Sequence, residues 1–375
     1  SFWYGRNVRA GSMLSNRGCR AHCSFCSTRY FNGPGVRQRS VNSIVDEMES
    51  LRDTYGITQI TWLDDDLFYN VKQCMAVFNE IVRRNLGMTW DAFNGVIAST
   101  VVAHPELIAG SAASGCIGLM FGIESGSPRI LKEVHKPSGL RHYRKLKGLM
   151  EEYPQIFTKG FLMLGFTNET VAEIKQTIAI AQEMRLDWYS VQVLSPLPMT
   201  EMFNQFEGPD GWKRGTMHGW VREVDRQKRI ERNAHESFFK LFEADDDYVP
   251  TAQELYHLWF DVDFLANYPK LLDETSPAKL DKSRKFLTEV CDNRVGQNAV
   301  TSLFLALVHK KLGHEQEAHR RTELAWDYFA QTPYWQTRLN GLNIDALALF
   351  DLCRADPSVI APSSQMHIKL VEERV

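Results

Sequence analysis

Apolar residues along the first two hundred positions fall into two alternating rhythms. Short runs rich in Val, Ile, Leu, Phe and Trp read as buried strands: Gly11–Ser15, Ile57–Leu63, Met88–Asn94, Ile117–Ile123, Thr158–Leu164 and Trp188–Leu194. Between them the apolar positions recur at helical spacing. Ser40–Tyr55 buries Val41, Ile44, Val45, Met48 and Leu51, and Val71–Asn85, Pro105–Ser114, Gly139–Tyr153 and Thr170–Arg185 follow the same logic. Pro105 suits a first helical turn, and Asn168 is placed to cap the last of these helices.

Strand followed by helix, six times over, predicts a parallel α/β sheet with right-handed crossovers. Six units are two short of a closed eight-fold barrel, so the expected core is a partial (β/α)6 TIM-type barrel over residues 1–205. Chemistry in such folds sits on the loops after the strands, and the unusual residues fall there. Cys19, Cys23 and Cys26 follow the first strand, Asp64, Asp65 and Asp66 the second, and Glu124 and Ser125 the fourth. Gly165 ends the fifth strand and Leu194 the sixth. Residues 206–221, including the Gly- and charge-rich stretch Glu207–Gly219, read as a connection. From Arg222 to the end the chain reads as mostly helical, with a stripe of Leu255, Leu258, Trp259, Val262 and Leu265. Ser302–Phe329 resembles one helix–turn–helix of the tetratricopeptide type, but a solenoid needs about three stacked units, so this region is read as a cap on the barrel.

Composition narrows the picture. The 375 residues suffice for one large domain and a smaller one, and 44% hydrophobic with 24% charged residues is ordinary for a globular protein. A net charge of -3 exerts no global pull on nucleic acid. No run reaches the roughly 18–20 apolar residues of a membrane helix, and the opening residues lack the pattern of a signal peptide. A chain that starts without Met and enters a strand almost at once is expected to be part of a longer protein. Three of the seven cysteines crowd into eight residues, which does not match a disulfide framework and points to a reducing cytoplasm. Cys74, Cys116, Cys291 and Cys353 read as core packing.

The spacing Cys19-x3-Cys23-x2-Cys26 is the strongest chemical signal. Thiolates are the natural ligands of iron–sulfur clusters, and three ligands on a four-iron cube leave one iron open to chelate an amino acid's amine and carboxylate. Structural zinc is the alternative, but it normally takes four ligands in two separated pairs, and His22 lies too close in sequence to serve. Taken singly, Asp64–Asp66 fit a solvated loop and Glu124 a cap or ion pair; their position after predicted strands is what gives them interest. Arg29, Arg37 and Arg39 offer guanidiniums for an anionic substrate or a docking partner, or simply form a solvated basic loop. Lys159 starts the fifth strand and reads as structural.

With Phe25 just before the third cysteine, this motif resembles that of the radical S-adenosylmethionine (SAM) superfamily. The resemblance runs over about residues 10–205 through WLDDDLF, GIESGSPRIL, KGFLMLGFTNET and LSPLPMTEMF. Thr167 stands where the family usually has Pro, and Met199 where it has Gly. The resemblance implies a 4Fe–4S cluster on Cys19, Cys23 and Cys26, with SAM held near Phe25, Asp64, Asp65, Asp66, Glu124, Ser125, Gly165 and Leu194. It implies reductive cleavage of SAM to a 5′-deoxyadenosyl radical, fed by a flavodoxin- or ferredoxin-type donor. The motif style is most similar to members that carry a cobalamin-binding domain ahead of the barrel. That implies cobalamin held outside this chain, and methylation or a related modification of an unactivated carbon in a small molecule or lipid. Cobalamin-independent chemistry of the methylthiotransferase or oxidative kind is the second reading, and a zinc-stabilised scaffold the third.

Overall fold

The computed structural model describes residues 8–195, 197–205, 238–293 and 298–354, and the chain divides into two compact units. In the first unit β1 (Ala10–Met13) leads into a short antiparallel ribbon of β2 (Asn16–Arg17) and β3 (Arg37–Gln38). The sheet continues through β4 (Gln59–Trp62), β5 (Thr89–Val96), β6 (Cys116–Glu124), β7 (Phe157–Leu164) and β8 (Trp188–Val193). Six strands pair in the order β1-β4-β5-β6-β7-β8, every pair parallel. β1 and β8 are not bonded to each other, so the sheet is open, and among the described residues each has a strand partner on one side only. All six strands expected from the sequence are present.

Nine helices of this unit are described: α1 (Thr28–Asn32), α2 (Val41–Tyr55), α3 (Val71–Arg83), α4 (Ala98–Ala103), α5 (Glu106–Ala113), α6 (Pro128–Glu133), α7 (Leu140–Glu151), α8 (Val171–Met184) and α9 (Glu201–Gln205). Their ends are set by local chemistry. The Ser40 hydroxyl accepts the Ser43 N–H at the start of α2, which ends on Gly56 in the left-handed region (φ 63°). Asn70 caps α3 in the same way through the Gln73 N–H. Between sheet and helices Phe78 stacks on Trp90 at 5.3 Å, and Trp62 meets Trp90 edge-on.

Two expectations about caps need correction. Asn168 does not cap α8; Thr170 does, in a reciprocal capping box with Glu173. A cap must sit immediately before the first helical residue so that its oxygen reaches the third N–H, and Asn168 is two residues too early, in a left-handed turn (φ 53°). Pro105 is itself the N-cap of α5 rather than a residue of its first turn.

The second unit is helical: α10 (Ala252–Asn267), α11 (Lys270–Asp273), α12 (Pro277–Asn293), α13 (Ala299–Lys311), α14 (Glu315–Gln331), α15 (Pro333–Gly341) and α16 (Ala346–Arg354). α13 and α14 are the expected helix pair, joined at Gly313 (φ 76°). Residues 238–251 form turns, because three successive acids (Asp245, Asp246 and Asp247) favour turns and Pro250 blocks helix at its own and the preceding position. The expected connection at Glu207–Gly219 and the expected helix start at Arg222 lie outside the described residues.

Gly126 packs the loop after β6 directly onto α8: a Cβ there would lie 2.1 Å from the Gln176 carbonyl oxygen. Gly148, exposed on α7, has open space around it. Gly126→Ala is therefore expected to lose at least ~1–3 kcal/mol of stability, whereas Gly148→Ala gains ~0.5–1 kcal/mol. Urea melts of the two variants check this, and shifts of the same sign would contradict it.

Candidate functional site

The loop between β2 and α1 carries all three clustered cysteines, and three successive aspartates after β4 hold it in place. Asp64, buried, accepts the backbone N–H groups of Ser15 (3.0 Å) and Asn16 (2.7 Å) and the Ser15 hydroxyl. Asp65 accepts the Gly18 N–H at 3.2 Å and the Asn32 amide at 2.8 Å. Asp66 pairs with Arg20 at 2.8 Å, and Arg20 also donates to Thr100 Oγ1 at 2.8 Å. Burial raises the carboxyls of Asp64 and Asp66 in spite of these donors. Gly18 lets the ribbon close: in its left-handed conformation (φ 100°) a Cβ would lie 2.3 Å from the Gly35 carbonyl oxygen.

Cys19, Cys23 and Cys26 are free and half-buried. Desolvation raises the Cys19 thiol to about 11, with repulsion from Asp66, Cys23 and Cys26 adding to it. Cys23 is also raised by desolvation, with Lys136 acting against the shift. The Ala21 N–H approaches Cys19 Sγ at 3.4 Å, and Cys26 Sγ lies 3.3 Å from Thr28 Oγ1. Among the described residues no three His, Cys, Asp or Glu side chains converge as ligands of one metal ion would. A four-iron cube takes each thiolate on a different iron and does not need that convergence. Burial thus disfavours the thiolates of Cys19 and Cys23, while an N–H donor at the first and the Lys136 ammonium acting on the second favour them.

Lys136, which the sequence reading passed over, faces these thiols from the loop after α6. Its ammonium lies 2.7 Å from Glu124 Oε1, with both side chains largely buried. Burial alone would lower its pKa, but Glu124 and Cys23 more than offset that, and the net shift is upward. Glu124 terminates β6 after a register irregularity and takes a left-handed φ of 66°, which re-aims its side chain. Gly122 makes room for the pair, since a Cβ there would lie 2.6 Å from Lys136 Nζ. Lys136 follows the residues of interest by a whole short helix, so a search confined to the first residues after each strand does not reach it.

The remaining expected site residues are distributed as follows. Ser125 is fully buried, and its hydroxyl is engaged by the Ser127 N–H (3.0 Å) and Thr177 Oγ1 (3.3 Å). Phe25 meets Phe166 edge-on at 6.2 Å and packs with Met163 on a core of Ile130, Val134, Phe166, Leu194 and Met202. Gly165 takes a positive φ of 89° and donates its N–H to Glu169. Met199, where the resemblance leads one to expect Gly, adopts the left-handed φ of 69° that Gly would take. Arg29 contacts His22 Nε2 at 2.7 Å, Arg37 donates to the Asn32 carbonyl at 2.6 Å, and Arg39 pairs with Glu47 at 2.5 Å. Lys159 is the third residue of β7, and buried. Cys74, Cys116 and Cys353 are buried and Cys291 half-buried, all four as free thiols.

Glu169 caps its own turn: Oε2 accepts the N–H groups of Gly165 (2.5 Å) and Phe166 (3.2 Å), while buried Oε1 has no hydrogen-bond partner among the described residues. Burial lifts this carboxyl from about 4.5 to about 8. A raised carboxyl holds its proton in the folded state, so the stability it contributes is present at low pH and fades as pH climbs towards the folded value. Glu169→Gln is expected to gain melting temperature over the natural chain as pH rises from about 5 to about 8. Parallel melting-temperature profiles would show that Glu169 does not titrate there.

Residues 13–181 match the radical SAM superfamily model. Over 198 residues the chain is 30% identical to an uncharacterised methyltransferase of Pyrococcus horikoshii, covering 52% of this chain and 42% of that protein. It is equally 30% identical over 209 residues to the cytidylyl-2-hydroxyethylphosphonate methyltransferase of Streptomyces wedmorensis, covering 54% of this chain and 38% of the relative. The chain thus spans less than half the length of these relatives. The structure of the radical SAM methyltransferase TsrM from Kitasatospora setae, with cobalamin and a [4Fe–4S] cluster, matches with a TM-score of 0.52 at 18% identity, covering 84% of this chain and 61% of that one. That likeness is one of fold. The open six-stranded parallel sheet, the three free thiols on the loop between β2 and α1 and the family match fall together, and residues 13–181 form a radical SAM superfamily domain.

Proposed function

We propose that Cys19, Cys23 and Cys26 hold a 4Fe–4S cluster and that the chain cleaves SAM reductively to modify an unactivated carbon, in the leading reading by cobalamin-dependent methylation of a small molecule or lipid. The observation that carries the first part is the juxtaposition of three free thiols in one tethered loop with the buried Lys136–Glu124 pair. When bound, the cluster supplies an electron to the sulfonium of SAM, whose carbon–sulfur bond breaks to give methionine and a 5′-deoxyadenosyl radical.

The chain's own residues have three tasks. Lys136, beside Cys23, offers a cation to the methionyl carboxylate, and Glu124, on the same pair, offers an acceptor to the ammonium or a ribose hydroxyl. A zwitterion suits this pair because it can exchange one internal ion pair for two external ones with no net change in buried charge. Asp64, Asp65 and Asp66 set the loop's backbone, and with it the spacing of the thiolates. Phe25 seals the loop onto the apolar core and helps exclude water from the sulfurs.

Methyl transfer is supported by the methyltransferases among the relatives, and cobalamin by the cofactor in the fold relative. We assign the cobalamin to a domain outside these residues and an electron donor of the flavodoxin or ferredoxin class, in the cytoplasm. Residues 1–205 form the catalytic core in this reading, 206–221 a connection and 222–375 an accessory helical region. Among the described residues no helix is long and apolar enough to cross a membrane.

Anaerobic reconstitution is expected to load four irons per chain, and replacing all three cysteines by Ala to abolish that iron and its visible absorbance. A triple variant with a full iron complement would overturn the assignment. Lys136→Met and Glu124→Gln each remove charge-assisted bonds worth ~1.5–3 kcal/mol, so each is expected to weaken SAM binding about tenfold or more. Equilibrium dialysis with labelled SAM measures this, and unchanged affinity in both variants would place SAM elsewhere.

A further inference from the structure

A cavity of about 410 Å³ opens beside β1, between the β2–β3 ribbon and the start of α2. Arg17, Arg37 and Arg39 line it, with Glu47 as the one carboxylate. The volume falls within the range of small-molecule sites. The four charged side chains are not equivalent. Arg39 is consumed by the fold: it pairs with Glu47 at 2.5 Å and donates to the Leu14 carbonyl at 3.0 Å and the Ser43 carbonyl at 2.7 Å. Arg37 spends one N–H on the Asn32 carbonyl. Among the described residues neither Arg17 nor Arg37 has a carboxylate within ion-pairing distance. Three guanidiniums against one carboxylate leave two positive charges unmatched, and both sit on the ribbon.

Their placement is costly on its own. Arg17 and Arg37 are direct partners in the antiparallel register of β2 and β3, where side chains project to the same side and like charges repel. A ribbon of two residues per strand has little pairing energy to offset this. A dianion between the two guanidiniums would turn the repulsion into two charge-assisted contacts, and planar forked donors suit the oxygens of a phosphoryl group.

We propose that Arg17 and Arg37 form a binding site for the phosphoryl dianion of a small molecule, lodged in the cavity beside β1. Arg17 lies two residues before Cys19, so a ligand anchored there is tied to the same loop as the cluster cysteines. On the functional reading above, that ligand is the substrate, held by a group remote from the carbon that reacts. Only this identification rests on that reading; the site itself does not.

Inorganic phosphate is the probe, titrated calorimetrically into the full chain at about pH 8, with sodium chloride matching the ionic strength and acetate as the monoanion control. Saturable binding of phosphate is expected, weakened about tenfold or more by Arg17→Gln or Arg37→Gln and absent in the double variant. Arg83→Gln, on an exposed pair with Glu80, should leave it unchanged. In the absence of phosphate, Arg17→Gln should melt no lower than the natural chain, because it relieves the cross-strand repulsion. The proposal fails if phosphate does not bind saturably, if acetate binds as tightly, if the glutamine variants bind normally, or if Arg17→Gln alone lowers the melting temperature. Phosphate binding should persist in the variant lacking all three cysteines. A chain that binds phosphate but never cleaves SAM would count against the proposed function and leave this site standing.

Discussion

The cysteine loop has little structure of its own, and its shape depends on carboxylates supplied by a different strand. Between β2 and α1 the chain has few side chains to bury and several backbone N–H groups that would otherwise go unpaired. Asp64 accepts the N–H groups of Ser15 and Asn16 at the entry to the ribbon, Asp65 that of Gly18, and Asp66 takes the Arg20 guanidinium. A carboxylate that accepts backbone N–H groups fixes main-chain positions more tightly than a side-chain contact does, because the groups it holds have no rotamers. Thiolate spacing on the first loop is thus dictated by β4. Burial of Asp64 and Asp66 comes at an electrostatic cost, visible in their raised carboxyls. Such a cost is tolerable where the alternative is unsatisfied backbone.

The electrostatics of the site has a second layer. Glu124 on one side and the thiols of Cys23 and Cys26 on the other act on the ammonium of Lys136, so a largely buried cation has acidic groups around it. Ser125 and Gly126, which follow Glu124, add no charge of their own. They bolt the end of β6 to α8 through Thr177 and the Gln176 backbone, and so fix where Glu124 points.

Much of this was legible in the sequence. Apolar runs located all six sheet strands, and helical spacing located the five longer helices between them, within a few residues; the short helices α1, α4, α6 and α9 carry too few turns to show a period. The cysteine spacing singled out the loop between β2 and α1. What the sequence could not show was which partner each polar group would take. The Asp64–Asp66 run reads the same whether it faces solvent, a cofactor or a neighbouring loop, and only the fold reveals three separate donors in the first loop. Lys136 was invisible for the opposite reason: it sits beyond α6, in a His-Lys-Pro stretch with no periodic or spacing signal. Asn168 and Thr170 are both good caps by composition, and the choice fell to whichever oxygen reached the third amide. Residues 238–251 turn where the apolar spacing suggests helix, because Pro250 and three successive acids outweigh it.

Gly122 carries a consequence for how this protein can change. A glycine within a central strand gives up side-chain packing and backbone rigidity, so nearly any replacement with good strand propensity improves β6 locally. The same replacement would drive its first carbon into the space shared by Lys136 and Glu124. Selection for a sturdier sheet and selection for a working charge pair therefore pull this one position in opposite directions. A lineage freed from the need for the pair should lose Gly122 early, and a Val or Ile at this position would be an early mark of a descendant that keeps the sheet and has abandoned its chemistry.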